Sequence, residues 1–170
     1  LAEQLIQQIK HLQKEDRGSI LLLAGKHFLG TPYVAHTLET GPDEKMVVNL
    51  KEMDCTTFVE YSLAFARTVK STNPDLVKFV KELERIRYRN GQRDGYLSRL
   101  HYFSEWILDN GRRGVVRDVS REIAHILYPN KIDFMSKHAG SYQVLKENPE
   151  LVDQMRVLEN TISEEVFWYV

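Results

Sequence analysis

The chain has 170 residues, of which 42% are hydrophobic and 10% aromatic. This is enough to build one core of ordinary size, and it excludes intrinsic disorder. The 23 basic and 24 acidic residues give a formal charge of -1, so no overall field favours nucleic acid or a membrane surface as a partner. The single cysteine, Cys55, excludes an internal disulfide and the zinc motifs that need paired cysteines.

The organisation of the chain is predicted to be simple. No repeat or low-complexity tract divides it, so we predict a single domain over residues 1–170. Its longest aliphatic run, Ile20 to Ala24, has five residues, whereas about 20 are needed to span a membrane. Leu1 is not an initiator methionine and no charged and then apolar leader follows it, so we expect a cut or processed end there.

The first third of the chain combines two helices with an irregular segment. Apolar residues at helical spacing predict helices over 1–14 and 19–29, and Gly30-Thr31-Pro32 ends the second one. The helical period is lost over residues 31–53. We therefore predict irregular structure there, with one short strand over 46–50.

Helical spacing returns after this segment. Asp54 stands where an N-cap residue is expected, so we predict a helix from Cys55 to about residue 70, with Cys55 as its first residue. N-cap residues, helix-breaking residues and apolar spacing then predict helices over 74–89, over 99–110 with Ser98 as the cap, and over 149–159. Short strands are predicted over 115–119 and 166–170, and a turn or short helix is predicted over 133–138.

The segment MDCTTFVE, residues 53–60, carries the strongest chemical signal. A thiol in the first turn of a helix faces unpaired backbone N–H groups and the positive end of the helix dipole, which stabilise a thiolate. The same N–H groups can hold the oxyanion that forms when a thiolate attacks an amide. Asp54 acts partly against this, because its charge disfavours a neighbouring thiolate. Cys55 is thus a candidate nucleophile, and the alternative is a small buried hydrophobic side chain.

Several segments together resemble a known family. GTPYV, residues 30–34, stands about 20 residues ahead of the DC motif of Asp54 and Cys55, as in the NlpC-type cell-wall hydrolases, which are papain-like enzymes. The longer series HFLGTPYVAHTLE, VVNL, DCTTFVE, IRYRNG, GYLSRLHYFSEWI and FMSKH, within residues 27–138, is similar to one bacterial subfamily associated with N-acetylmuramoyl-L-alanine amidase activity.

This resemblance implies an α+β, papain-like fold, in which the cysteine opens a helix packed on a small antiparallel sheet. This chain would be mainly the helical part, with few short strands. The resemblance also implies a peptidoglycan hydrolase of the periplasm or cell envelope, without a cofactor or metal, that uses Cys55 as its nucleophile. The side chains expected to contact the substrate are Tyr33, Asp54, Thr56, Arg99 and Tyr102.

Two departures from the family pattern matter. Thr56 and Thr57 follow the cysteine where many members have Ser-Gly, so the superfamily's rules of substrate preference do not transfer directly. The family's catalytic histidine lies on a later strand, in a segment ending in H-hydrophobic-G, and these residues contain no such segment. We therefore expect the base, its orienting partner and the sheet to lie beyond Val170. On this chain His101 is the best candidate base.

Arg99 and the other arginines have more than one interpretation. A guanidinium can bind the free carboxylate of a stem peptide through two parallel hydrogen bonds, and a structural ion pair is the alternative. The arginines between Arg85 and Arg121 alternate with acidic residues, which indicates a solvated mixed face and no nucleic-acid site. No His, Cys or acidic spacing forms a recognised metal motif.

Three functions therefore remain open from the sequence. The leading hypothesis is a cysteine amidase that cuts the N-acetylmuramoyl-L-alanine bond of muropeptides through an acyl-thioester. The second is a D-glutamyl-diamino acid cell-wall endopeptidase. The third is a muropeptide-binding module without catalysis, since no convincing base stands on these residues. The sequence does not indicate an oligomeric state.

Overall fold

The computed structural model describes residues 1–128 and 131–169 and divides the chain into two compact units. The first unit contains residues 1–40 and 45–93, and the second contains residues 41–44 and the chain from Asp94 onward. The single domain over residues 1–170 stays a prediction.

Four helices build the first unit, and their order follows the sequence prediction. They are α1 (Ala2–Ile9), α2 (Arg17–His27), α3 (Cys55–Val69) and α4 (Leu76–Arg87). The first predicted helix is shorter than expected, because the chain continues from α1 as a 3-10 helix over Lys10–Lys14. A second 3-10 helix covers Arg89–Gly91. Buried Phe65 of α3 stacks on buried Phe79 of α4 with ring centres 4.2 Å apart, so these two helices share one apolar core.

The strand predicted over residues 46–50 is wrong, and side chains explain its absence. The segment is irregular, without a neighbouring strand. Buried side chains from α3 and from the end of α4 replace a partner strand, because they form hydrogen bonds with the main chain of this segment at every second residue. The bonds run from Tyr88 Oη to Lys45 O (3.2 Å), from Arg87 Nη1 to Val47 O (2.6 Å) and from Asn49 N to Tyr61 Oη (3.0 Å).

A buried ion pair fastens α4 to α3. Arg87 and Glu60 are each 1% exposed, and Arg87 Nε donates to Glu60 Oε2 at 2.7 Å. Burial by itself lowers the pKa of Arg87, but the Glu60 carboxylate and Tyr61 raise it above its ordinary value. The Arg87 guanidinium also lies 5.6 Å from the centre of the Tyr61 ring. Arg87 therefore stays charged inside the protein, with its Nε bonded to Glu60 and its Nη1 bonded to Val47 O.

A second ion-pair cluster joins α3 and α4 around Glu82. Glu82 lies 2.6 Å from both Arg67 and Lys78. Burial tends to raise the pKa of Glu82, but hydrogen bonds and charge from Lys78 and Arg67 lower it below its ordinary value of 4.5.

We therefore expect Glu82 to stabilise the fold fully above pH 4.5 and to lose this contribution as the pH falls through its depressed folded-state pKa. Chemical denaturation of the protein and of Glu82→Gln at pH 7 and pH 3 measures the effect. The difference in unfolding free energy should be smaller at pH 3. An equal difference at both pH values would contradict this assignment.

The second unit consists of shorter helices and one small sheet. After a 3-10 turn over Tyr96–Ser98 come α5 (Phe103–Arg112), α6 (Ser120–Ile123), β1 (Ile126–Tyr128), α7 (Phe134–Lys137), a 3-10 turn over Ala139–Ser141, α8 (Gln143–Glu147), α9 (Pro149–Ser163) and β2 (Phe167–Tyr169). The strands are antiparallel, with Leu127 opposite Trp168. The unit's core cluster consists of Tyr96, Met135, Val144, Leu145 and Met155.

Two predictions in this unit are wrong for identifiable reasons. Residues 115–119 form no strand; instead the N–H groups of Val115 and Val116 bond to Asn110 O at the end of α5. Ser98 does not cap a helix, because its hydroxyl accepts from Asp94 N and donates to Gly95 O, which closes a local turn. The helix begins later, at Phe103.

The other predictions here are largely confirmed. Of the turn or short helix predicted over 133–138, the structure forms the short helix α7, and the helix predicted over 149–159 corresponds to α9, which continues to Ser163. The strand predicted over 166–170 corresponds to β2, while Val170 lies outside the described residues. The predicted α+β class is thus confirmed at the level of a mostly helical chain with one two-stranded sheet. No helix in the described part of the chain is long and apolar enough to cross a membrane.

Candidate active site

The N-terminus of α3 is closed by a reciprocal capping box. Asp54 is the N-cap residue, and its Oδ1 accepts from Thr57 N at 2.8 Å. In return, Asp54 N donates to Thr57 Oγ1 at 2.9 Å. The Thr57 hydroxyl also lies 2.8 Å from Asp54 Oδ1, and Thr57 is fully buried. The predicted helix start at Cys55 and the predicted N-cap at Asp54 are both confirmed.

The capping box leaves two backbone donors of the first turn without a partner. Phe58 N donates to Asp54 O at 2.9 Å, which closes the first helical turn. The N–H groups of Asp54 and Thr57 are occupied by the capping box. Within residues 1–128 and 131–169, the N–H groups of Cys55 and Thr56 have no hydrogen-bond partner. These two donors flank the thiol and are oriented by the start of the helix.

The Cys55 side chain is exposed at the first position of α3. The interpretation of Cys55 as a buried structural cysteine is therefore wrong. The positive end of the α3 dipole and the two unpartnered N–H groups favour negative charge at this position. An exposed thiol beside such donors can in chemical terms act as a nucleophile toward a carbonyl carbon, once a base has removed its proton.

The GTPYV segment reaches the cysteine helix through main-chain hydrogen bonds. Tyr33 forms an isolated parallel bridge with Met53, in which Val34 N donates to Met53 O (3.1 Å) and Met53 N donates to Pro32 O (3.2 Å). Met53 immediately precedes Asp54. The bridge thus places Tyr33, which is 71% exposed, beside Met53, two residues before Cys55.

An apolar groove follows the face of α3 on which Cys55 stands. After Cys55, helical spacing brings Phe58, Val59 and Ser62 to the same face of α3. These side chains and residues of α2 line the groove, whose volume is about 450 Å³. Gly25 of α2 allows this approach, because a Cβ there would lie 3.3 Å from the Phe58 ring. The groove thus lies between α2 and α3, and Cys55 itself is not among its lining residues.

Arg99 belongs to the second unit and forms an ion pair within it. It is 7% exposed, its Nε lies 3.2 Å from Glu44 Oε1, and its guanidinium lies 5.1 Å from the centre of the Tyr96 ring. The ion pair that the sequence left open is thus present. Contact between Arg99 and a substrate carboxylate stays a prediction.

His101 also lies in the second unit, packed on Tyr96. The ring centres are 4.5 Å apart, and His101 Nε2 lies 2.9 Å from Tyr96 O. A carbonyl oxygen only accepts, so we assign a proton to Nε2. The role of His101 as a base stays a prediction.

Tyr102 is tied into the packing of the second unit. Its hydroxyl donates to Glu159 Oε1 at 2.6 Å and accepts from Met135 N at 2.8 Å. Burial and the bond to Glu159 raise the pKa of Tyr102 above its ordinary value. Glu159 also accepts from Ser136 N, so the pair satisfies the N-terminus of α7. Substrate contact by Tyr102 stays a prediction.

The structure thus groups the predicted site residues by unit. Tyr33, Asp54, Cys55 and Thr56 lie together around the start of α3, whereas Arg99, His101 and Tyr102 lie in the second unit. The sequence prediction missed Thr57, although the D-x-x-T spacing of the capping box could have revealed it. Within the described residues, no group of three or more His, Cys, Asp or Glu side chains is arranged to hold a metal ion.

The chain is similar to several proteins of known structure. An N-acetylmuramoyl-L-alanine amidase from Bacteroides uniformis is 39% identical and superposes with a TM-score of 0.85 over 91% of this chain, which spans 64% of that protein. A Bacteroides fragilis protein named as a candidate xylanase is 40% identical and superposes with a TM-score of 0.81. The match covers 88% of this chain and 65% of the Bacteroides fragilis protein.

A more distant structure shares the fold alone. A Legionella pneumophila protein is 21% identical, with a TM-score of 0.63 over 99% of this chain and 60% of its own. No curated protein matches the chain. The family model described as AmiA-like, N-acetylmuramoyl-L-alanine amidase-like, matches residues 23–170. The chain therefore belongs to the AmiA-like family of N-acetylmuramoyl-L-alanine amidase-like proteins.

Proposed function

We propose that the protein is a cysteine amidase that hydrolyses the bond between N-acetylmuramic acid and L-alanine in peptidoglycan fragments. One observation carries the chemistry: the exposed Cys55 thiol stands at the first position of α3 beside the unpartnered N–H groups of Cys55 and Thr56. The choice of bond is supported by the family and by the Bacteroides uniformis amidase.

In the proposed mechanism, the Cys55 thiolate attacks the carbonyl carbon of the lactyl amide, and a C–S bond forms. The carbonyl oxygen becomes an oxyanion that accepts hydrogen bonds from the N–H groups of Cys55 and Thr56. The C–N bond then breaks, and the alanine nitrogen leaves as an amine after it takes up a proton. Water finally cleaves the acyl-thioester, which releases the sugar with a free carboxylate and restores the thiol.

A general base must take the proton of the thiol and return it to the leaving amine. The family resemblance implies a histidine beyond Val170, and His101 is the candidate on the present residues. The same proposal includes the NlpC-type, papain-like character of the enzyme. It also includes a location in the periplasm or cell envelope, because peptidoglycan lies there.

Product masses from a defined muropeptide test the proposed bond. Incubation with the full-length protein should release a peptide that begins at L-alanine together with a sugar that carries no peptide. A sugar that still carries L-alanine and D-glutamate would contradict the amidase and would identify a D-glutamyl-diamino acid endopeptidase. Binding without any cleavage would contradict both enzymes and favour a muropeptide-binding module.

A further inference from the structure

We propose that Thr57 is a positioning residue of the active site. Its hydroxyl holds the Asp54 carboxylate on the third N–H group of α3 and thereby keeps the N–H groups of Cys55 and Thr56 available to the substrate carbonyl oxygen. This inference rests on the proposed function of Cys55 as the nucleophile. Thr57 does not touch the reacting atoms, and it acts through Asp54.

The hydrogen bonds of Thr57 restrain Asp54 from two sides. The Thr57 hydroxyl lies 2.8 Å from Asp54 Oδ1, and Thr57 N donates to the same oxygen at 2.8 Å. On the other side, Asp54 N donates to Thr57 Oγ1 at 2.9 Å. Thr57 is fully buried, so water cannot replace its hydroxyl in these bonds. Both the main chain and the carboxylate of Asp54 are therefore fixed by one buried side chain.

This restraint matters because an N-cap side chain has two possible partners. An N-cap oxygen accepts from either the second or the third N–H group of a helix. In α3 the second is that of Thr56, which is an oxyanion donor in the proposed mechanism, and the third is that of Thr57. The structure shows the carboxylate on the third group. Without the hydroxyl, only Thr57 N would hold the carboxylate, which would then spend part of its time on Thr56 N.

Such a rotation would harm the reaction in two ways. It would occupy a donor that the oxyanion needs, and loss of one such donor lowers kcat by about 10²- to 10³-fold in an oxyanion hole. It would also bring the negative charge of Asp54 closer to the Cys55 sulfur, which disfavours the thiolate. The buried threonine therefore resolves the conflict between a helix cap and a neighbouring nucleophile.

The test compares Thr57→Val with Thr57→Ser in the full-length protein. Valine keeps the shape of threonine but removes the hydroxyl, whereas serine keeps the hydroxyl. Because the carboxylate would occupy Thr56 N only part of the time, we expect Thr57→Val to lower kcat by about 10- to 100-fold with little change in KM. Its Cys55 should also be alkylated more slowly by iodoacetamide. Thr57→Ser should restore both values.

Thr68→Val is the matched control, since Thr68 is also fully buried in α3 and its Oγ1 donates to Ala64 O at 2.7 Å. It should retain kcat and the alkylation rate. Equal losses in Thr57→Val and Thr68→Val would overturn the inference, because they would show a general effect of helix stability. Thr57→Ala, with the same two readouts, replaces Thr57→Val if that variant does not fold.

Cys55→Ala, measured alongside, separates the two proposals. Retained turnover in Cys55→Ala would overturn the proposed function itself. Lost turnover in Cys55→Ala, with wild-type kcat and alkylation rate in Thr57→Val, would overturn the role of Thr57 alone. The inference is supported when Cys55→Ala is inactive, Thr57→Val is slow in both readouts and Thr57→Ser recovers.

Discussion

Replacing Cys55 with alanine is expected to lower muropeptide turnover by about 10³- to 10⁶-fold, the range seen when a catalytic nucleophile is removed. The fold should survive, because the side chain is exposed and alanine is well tolerated in a first helical turn. Turnover and thermal unfolding of the same preparation check both parts. The expected result is an inactive protein with an unchanged melting temperature.

The chain offers a matched control for this substitution. Leu76 is the first residue of α4, directly after the N-cap residue Asp75, and it is 41% exposed. Leu76→Ala therefore makes a comparable change at the start of another helix and should keep normal turnover. If Cys55→Ala also kept normal turnover, the cysteine mechanism would be wrong.

The second large effect concerns stability. Arg87→Met should lower the free energy of unfolding by about 3 to 5 kcal/mol, because the buried Glu60 carboxylate would lose the opposite charge of the Arg87 guanidinium. The same substitution at Arg156, whose ion pair with Asp153 is exposed, should cost less than about 1 kcal/mol. Chemical denaturation of both variants provides the comparison.

A double substitution separates the buried pair from simple loss of packing. Arg87→Met combined with Glu60→Leu removes both charges and should recover much of the stability lost in Arg87→Met. The main-chain oxygen of Val47 would still lack its donor, so recovery should be incomplete. A loss below about 1 kcal/mol in Arg87→Met would show that the pair does not hold α4 to α3.

The start of α3 could be predicted because its signals are local. An Asp cap, a cysteine and apolar residues at helical spacing all lie within one short segment, and the structure follows them. The exposure of Cys55 could not be predicted in this way, since it depends on which helix faces pack together. The capping box was predictable in the same way, because Thr57 completes it from three residues away.

Errors arose where distant side chains decide the structure. Residues 46–50 have an alternating pattern, but Arg87, Tyr88 and Tyr61 satisfy the main chain that a partner strand would otherwise pair. Ser98 is a plausible cap, yet it bonds within its own turn. The partner of Arg99, Glu44, lies far away in the sequence. No local pattern encodes these contacts, so only the folded chain reveals them.

The most direct measurement is peptide mapping by mass spectrometry of the full-length protein after acid quenching during turnover of a defined muropeptide. The proposed mechanism predicts an N-acetylmuramoyl group attached as a thioester to the peptide that contains Cys55. Acyl attachment at any other residue, with Cys55 unmodified, would contradict it.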